Sequence, residues 1–255
     1  MKKATFIAAA LTASVAGSAV ALPSTIQVGV GGGELGLRAY DFSSTVFGDS
    51  MQGEFTGTAL ASLHDVLNDQ GGVTTENWIT VVAGFVDTNN DQVADETALL
   101  WLIDDQDTGQ GMATPGTNIT FNSSINKDTG AAVWINDIGD GLTVIPEFGG
   151  DALATGSFEW DNDTGNYGDA FAWSGLGTND TGAFNFSSIV NWNGFEGIQF
   201  VSYDSSSDSW TVLQQLTGSS ALQAFSFTVI PFPPAALIGL AGLAGVGVIR
   251  RRIAG

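Results

Sequence analysis

The stretch FVDTNNDQVADE, Phe85 to Glu96, sets oxygen donors at alternating positions: Asp87, Asn89, Asp91, the carbonyl of Val93, and Asp95. Loop positions 1, 3, 5, 7 and 9 filled this way let side-chain and main-chain oxygens converge on one hard cation, and calcium is the cation that tolerates such a flexible shell. An EF-hand is excluded, because Gln92 stands where that loop needs glycine and Ala98 where it needs a bidentate glutamate; Glu96 would have to substitute. The same residues also make a polar hairpin turn between WITVVAGFV and TALLWLI, and both readings stay open here. If those two runs pair, Asp104–Asp107 fall at the far end, about 26 Å away, and cannot complete the same site. A weaker version of the spacing is Asp161, Asp163 and Asp169, with Gly165 where a ligand would be needed.

Asp-Thr-Gly occurs at Asp107, Asp128, Asp163 and Asp180, with uneven separations that exclude a tandem array. Aspartic proteases use that tripeptide twice, so that two carboxylates share a proton. Here each copy follows a polar residue (Gln106, Lys127, Asn162, Asn179), the chemistry of a hairpin turn. For nucleophilic hydrolysis the chain offers one histidine as base, His64, which reads as part of a solvated face, and no cysteine nucleophile. A glycosidase needs two carboxylates, and 27 acidic residues do not select a pair. No phosphate-binding glycine loop or zinc spacing is present. Trp78, Trp101, Trp134 and Trp173 lie inside apolar runs and read as core, with a sugar-binding groove as the functional alternative. No catalytic residues are assigned, and the chain is not read as an enzyme.

The elements that must position these residues are short strands. NWITVVAGFV, TALLWLI, AAVWIN, GSFEW, DAFAWSGL, AFNFSSIVNW, FEGIQFVSY, SWTVLQQL and LQAFSFTVI are rich in aromatic and β-branched residues and are separated by Gly, Asn, Asp and Ser. Only TALASLHDVLNDQGG reads as a helix, with Thr58 as cap, Leu60, Leu63 and Leu67 on one side and Gly71 as stop. The pattern predicts an all-β body, an antiparallel β-sandwich or jelly-roll, over residues 22–230. Every one of the 27 acidic residues lies between Glu34 and Asp208, where Arg38 and Lys127 are the two bases, a net charge of −25. Nucleic acid and anionic lipid would be repelled by such a body.

The two ends differ from the body. Lys2 and Lys3 precede an apolar run from Phe6 to Ala16, and the small residues Ala19 and Ala21 follow, the pattern of a secretory signal peptide over 1–21 with Leu22 as the mature start. At the other end, residues 231–255 contain three prolines, an uncharged run from Ala235 to Ile249, and Arg250, Arg251 and Arg252. As a helix that run of 15 residues rises about 22 Å, against a hydrocarbon core of about 30 Å. The arginines would stay on the cytoplasmic side and the segment would stop transfer. Its four glycines would offer a close approach to a membrane partner.

The order Ile230-Pro231-Phe232-Pro233-Pro234-Ala235, apolar helix, arginine cluster resembles a VPLPA-type relative of the PEP-CTERM sorting signal, over Ile230 to Arg252 only. It departs from that family in Ile230 for Val, Phe232 for Leu and the additional Pro234. The resemblance implies export, a pause in the inner membrane of a Gram-negative bacterium, cleavage near the prolines by an exosortase-type transpeptidase, and a final place at the cell surface or in an exopolysaccharide matrix. The expectation is therefore an envelope or matrix protein with a structural or binding role. The alternative is a secreted carbohydrate-active protein, a binding module or a hydrolase, carrying the same tail.

Overall fold

A computed structural model describes residues 25–46, 52–55, 63, 66–67, 73–75, 77–87, 96–103, 118–137, 142–159, 169–190, 196–221 and 223–230. They are almost entirely strand. In chain order these are β1 Thr25–Val30, β2 Gly33–Arg38, β3 Tyr40–Val46, β4 Gln52–Phe55, β5 Trp78–Asp87, β6 Glu96–Ile103, β7 Asn118–Asn126, β8 Val133–Asp137, β9 Thr143–Pro146, β10 Ala152–Glu159, β11 Ala170–Ser174, β12 Thr181–Val190, β13 Gly197–Asp204, β14 Ser209–Thr217 and β15 Ala224–Ile230. Leu63, Val66 and Leu67 have helical backbone, and Leu63 and Leu67 are buried, as the heptad-like spacing predicts; the rest of that segment, His64 included, lies outside the described residues.

The strands form two sheets. One runs β2-β1-β15-β12-β7-β10-β9 and is antiparallel throughout. The other runs β14-β13-β5-β6-β11-β8-β4, with β3 also on β5. It departs from the expected antiparallel pattern at three pairings, β13–β5, β3–β5 and β4–β8, which are parallel. Parallel neighbours require long connections, and a pattern of local alternation carries no trace of which distant strands will meet.

Burial follows which faces are covered. In the first sheet β1 alternates strictly, with Ile26, Val28 and Val30 inward, and β15 does the same with Phe225, Phe227 and Val229. One face of that sheet is therefore wet. The central strands of the second sheet are covered on both faces, so β5 and β6 read as unbroken apolar runs. Val81, Leu99, Trp101, Phe171 and Phe200 point into the core shared with the first sheet, while Val82, Leu100, Leu102 and Ala172 point outward under Phe42, Leu63, Leu67 and Val73. Trp101 stacks on Phe184 with centroids 3.9 Å apart, which joins the two sheets at their centre. The core carries the fold without disulfides, since the chain has no cysteine.

Candidate functional site

The connection from β7 to β8 and the 3-10 turn Phe148–Gly150 between β9 and β10 dock against one another. Ala132 donates its N–H to the carbonyl of Gly150 at 2.8 Å, and Glu147 donates to the carbonyl of Asp151 at 2.7 Å. Glycine is obligatory at the contact: Gly150 has φ +96°, and a Cβ there would lie 1.9 Å from the carbonyl oxygen of Gly130. Between the two loops opens a pocket of about 310 Å³ lined by Ala131, Ala132, Trp134, Pro146, Glu147 and Asp151. Trp134 sits half-buried on β8, opposite Trp173 of β11 and Gln52 of β4. Beside the mouth, the Phe148 side chain is 101% exposed, and Ile145 is exposed as well.

Trp101 and Trp173 are fully buried, as their apolar runs predict. Trp134 is half-buried: it packs against the core and also lines the pocket with Pro146 and Glu147. An aromatic face, a proline and two carboxylates make a surface that can stack on a ring while accepting hydrogen bonds from hydroxyls or an ammonium. One of those carboxylates is already engaged: Asp151 Oδ1 accepts the backbone N–H of Lys127 at 2.7 Å.

Lys127 itself turns inward. Its ammonium pairs with Asp180, and the two side chains are 2% and 0% exposed. Lys127 Nζ also donates to the carbonyl of Gly175 at 2.6 Å; Asp180 Oδ2 accepts the N–H of Gly177 at 2.7 Å and Asp180 Oδ1 that of Asp128 at 2.8 Å. Two copies of Asp-Thr-Gly therefore meet in space, without forming an acid pair. Asp180 faces an ammonium, and Asp128, whose side chain is exposed, contributes only its backbone N–H. The copies at Asp107 and Asp163 lie outside the described residues.

A second aromatic group gathers at the edge of the other sheet, where Tyr40 touches Phe42, Tyr203 and Trp210 with centroids 4.8, 4.7 and 5.0 Å apart. The Tyr203 hydroxyl donates to Asp208, and that bond, followed by burial and the Asp208 charge, pushes the phenol up to about 12. Asp204 is held below the usual carboxylate range, chiefly by the hydroxyl and the N–H of Ser206, at 2.7 and 2.9 Å. Arg38 lies 3.6 Å from it.

Of the calcium-loop residues, Asp87 ends β5 and is 5% exposed; Asn89, Asp91, Val93 and Asp95 lie outside the described residues. Strands β5 and β6 pair antiparallel with Val86 opposite Glu96, so Asp87 and Glu96 stand at the base of one hairpin connection. Asp169 is buried, and its carbonyl accepts the N–H of Ile103 at 2.8 Å; Asp161 and Asp163 are outside. No group of three or more potential metal-binding side chains occurs among the described residues. Ile230, first residue of the expected sorting motif, is the last of β15 and pairs with Thr25. Ala19, Ala21, Pro231, Phe232, Pro233, Pro234, Ala235 and Arg250–Arg252 lie outside the described residues, among which no helix is long and apolar enough to cross a membrane.

The sequence reading overlooked both the pocket and the buried ion pair. A signal for the second existed: Lys127 is one of two bases in the acidic body and directly precedes an Asp-Thr-Gly. No family model, curated protein or solved structure matches the chain.

Proposed function

We propose that this chain is an exported envelope or exopolysaccharide-matrix protein whose β-sandwich body binds a polysaccharide in the Trp134 pocket. The observation that carries the reading is that half-buried Trp134 lines one pocket with Glu147 and Asp151, next to the fully exposed Phe148. A pocket of about 310 Å³ sits at the low end of the ligand-site range, roughly the room for a short stretch of sugar rings. Among the described residues the bases are Arg38, beside Asp204, and Lys127, paired with Asp180, and neither lines the pocket beside the two carboxylates. Neutral or amino sugars suit such a site, and a polyuronate does not. Delivery rests on the terminal patterns: the leader over 1–21, then the proline motif, apolar run and arginines, read by an exosortase-type transpeptidase.

Two carboxylates lining one pocket also suit a glycoside hydrolase. Binding is favoured over hydrolysis because Asp151 serves as a loop cap for Lys127. Incubating the purified protein with neutral, amino-sugar and uronate polysaccharides separates the readings. Retention on a neutral or amino-sugar polymer, weakened about tenfold or more in Trp134→Ala, supports the binding role. Equal retention of both forms overturns the pocket assignment, and release of soluble oligosaccharide supports the hydrolase instead.

A further inference from the structure

We propose that Lys127 and Asp180 condense to an intramolecular amide, a cross-link between the end of β7 and the start of β12. The two groups touch, and their side chains are 2% and 0% exposed. Burying an ammonium and a carboxylate together removes the hydration of both, and their attraction offsets that loss only with good geometry. Condensation removes both charges. Lys127 Nζ bonds to Asp180 Cγ, the Cγ–Oδ2 bond breaks, and Oδ2 leaves as water with two protons from the ammonium. An ammonium and a carboxylate contain all the atoms of an amide and one water, so no other reagent enters the balance.

Amide formation is unfavourable between free groups in water. Holding the reacting atoms together in a folded core speeds the step by an effective concentration of about 10⁵–10⁸ M, and condensation relieves the cost of keeping two charges out of water. The surrounding hydrogen bonds suit the product too. Asp128 N–H already holds Oδ1, the oxygen that becomes the amide carbonyl, and Gly175 C=O already accepts from Nζ, which keeps one N–H to donate. Gly177 N–H sits on Oδ2, where it stabilises charge on the oxygen that departs.

The position gives the cross-link a use. Asp180 accepts the N–H of Val229 through its backbone carbonyl at 2.9 Å, and Asn179 donates to the carbonyl of Val229 at 3.0 Å. Strand β15 is therefore held at its last residues by the segment that the bond would fix, in a chain that has no cysteine with which to do so.

Intact mass under denaturing conditions tests this directly on the full-length protein purified in its folded form. The expected result is a species one water lighter than the sequence. Proteolysis then yields a branched peptide joining Lys127 to Asp180, with no tryptic cut after Lys127. Lys127→Arg keeps the positive charge and has the full mass. An unmodified wild-type mass after prolonged incubation overturns the proposal. So does a water loss that persists in Lys127→Arg or maps elsewhere, which marks a succinimide at an aspartate.

Discussion

At the scale of single residues, the two described Asp-Thr-Gly copies need their glycines for different reasons. Gly130 takes φ +79° in the loop that docks on Gly150. Gly182 lies in β12, where a Cβ would meet Phe227 Cζ at 2.3 Å and the carbonyl oxygen of Ser124 at 2.4 Å. The ring can yield and the backbone oxygen cannot, so Gly182→Ala should cost at least about 1–3 kcal/mol by overpacking. Gly177→Ala, whose nearest neighbour would be 3.6 Å away, is the control, and denaturant unfolding should show it near neutral. A second prediction concerns Tyr203. Because its phenol is raised from 10.0 to about 12, the folded form holds that proton more tightly than the unfolded chain. The contribution to stability is complete below pH 10 and disappears as pH rises through 12. Phenolate absorbance should show a step near 12 for Tyr203, and Asp208→Asn, which suits the φ of +50° at that position, should bring it down. A titration curve unchanged by Asp208→Asn would refute the Tyr203–Asp208 bond. None of these partners was legible in the sequence, because a turn tripeptide specifies its own backbone and not what packs against it.

At the scale of elements, hydrophobic period carried most of the information. Nearly every aromatic and β-branched run became a strand, and the unbroken character of WITVVAGFV and TALLWLI reflects central strands covered on both faces. Strands β1 to β4, β7 and β9 were not foreseen: TIQVGV alternates with small and polar residues, NITFNSSIN is largely polar, and GELGLR, QGEF and TVIP contain too few apolar groups to stand out. Parallel pairing and the Trp134 pocket were equally out of reach, since both depend on which distant segments become neighbours. The β5–β6 hairpin was legible, and its register puts Asp87 and Glu96 at the base of the acidic connection. Calcium bound there would pull the two strands together at that end. At a hundredfold excess over Kd the ion should add about 2.7 kcal/mol to stability. A melting scan in millimolar calcium against chelator should therefore show a higher Tm, with the difference lost in an Asp87→Ala, Asp91→Ala double variant. Identical curves would leave the connection as a solvated turn.

At the scale of the whole molecule, the registers place the pocket and both chain exits at one pole. Val28, Phe227, Gly182, Ile125, Ala152 and Pro146 form a single rung across six strands of the first sheet. Three residues further along β1 and β15 toward the exits, the adjoining ladder closes at Thr25 opposite Ile230. The pocket loops leave that sheet at β7, β10 and β9, with β10 three strand spacings from β15, or about 14 Å. A body tethered through its C-terminus would thus turn the Trp134 pocket toward the layer that holds it, within reach of a matrix polymer at the same surface. The same geometry limits processing. Ile230 is paired in the sheet with Thr25, and the Asn179–Asp180 segment grips Val229, so any cut at or before Ile230 would require β15 to leave the sheet. The mature protein should begin near Leu22, retain Ile230, and lack the apolar run from Ala235 and the arginines. Intact-mass analysis of envelope and medium fractions, with C-terminal peptides identified, decides the matter. A mature pool that still carries Arg250–Arg252 throughout would turn the tail into a permanent anchor. An end before Ile230 would mean that β15 is released from the sheet before the cut.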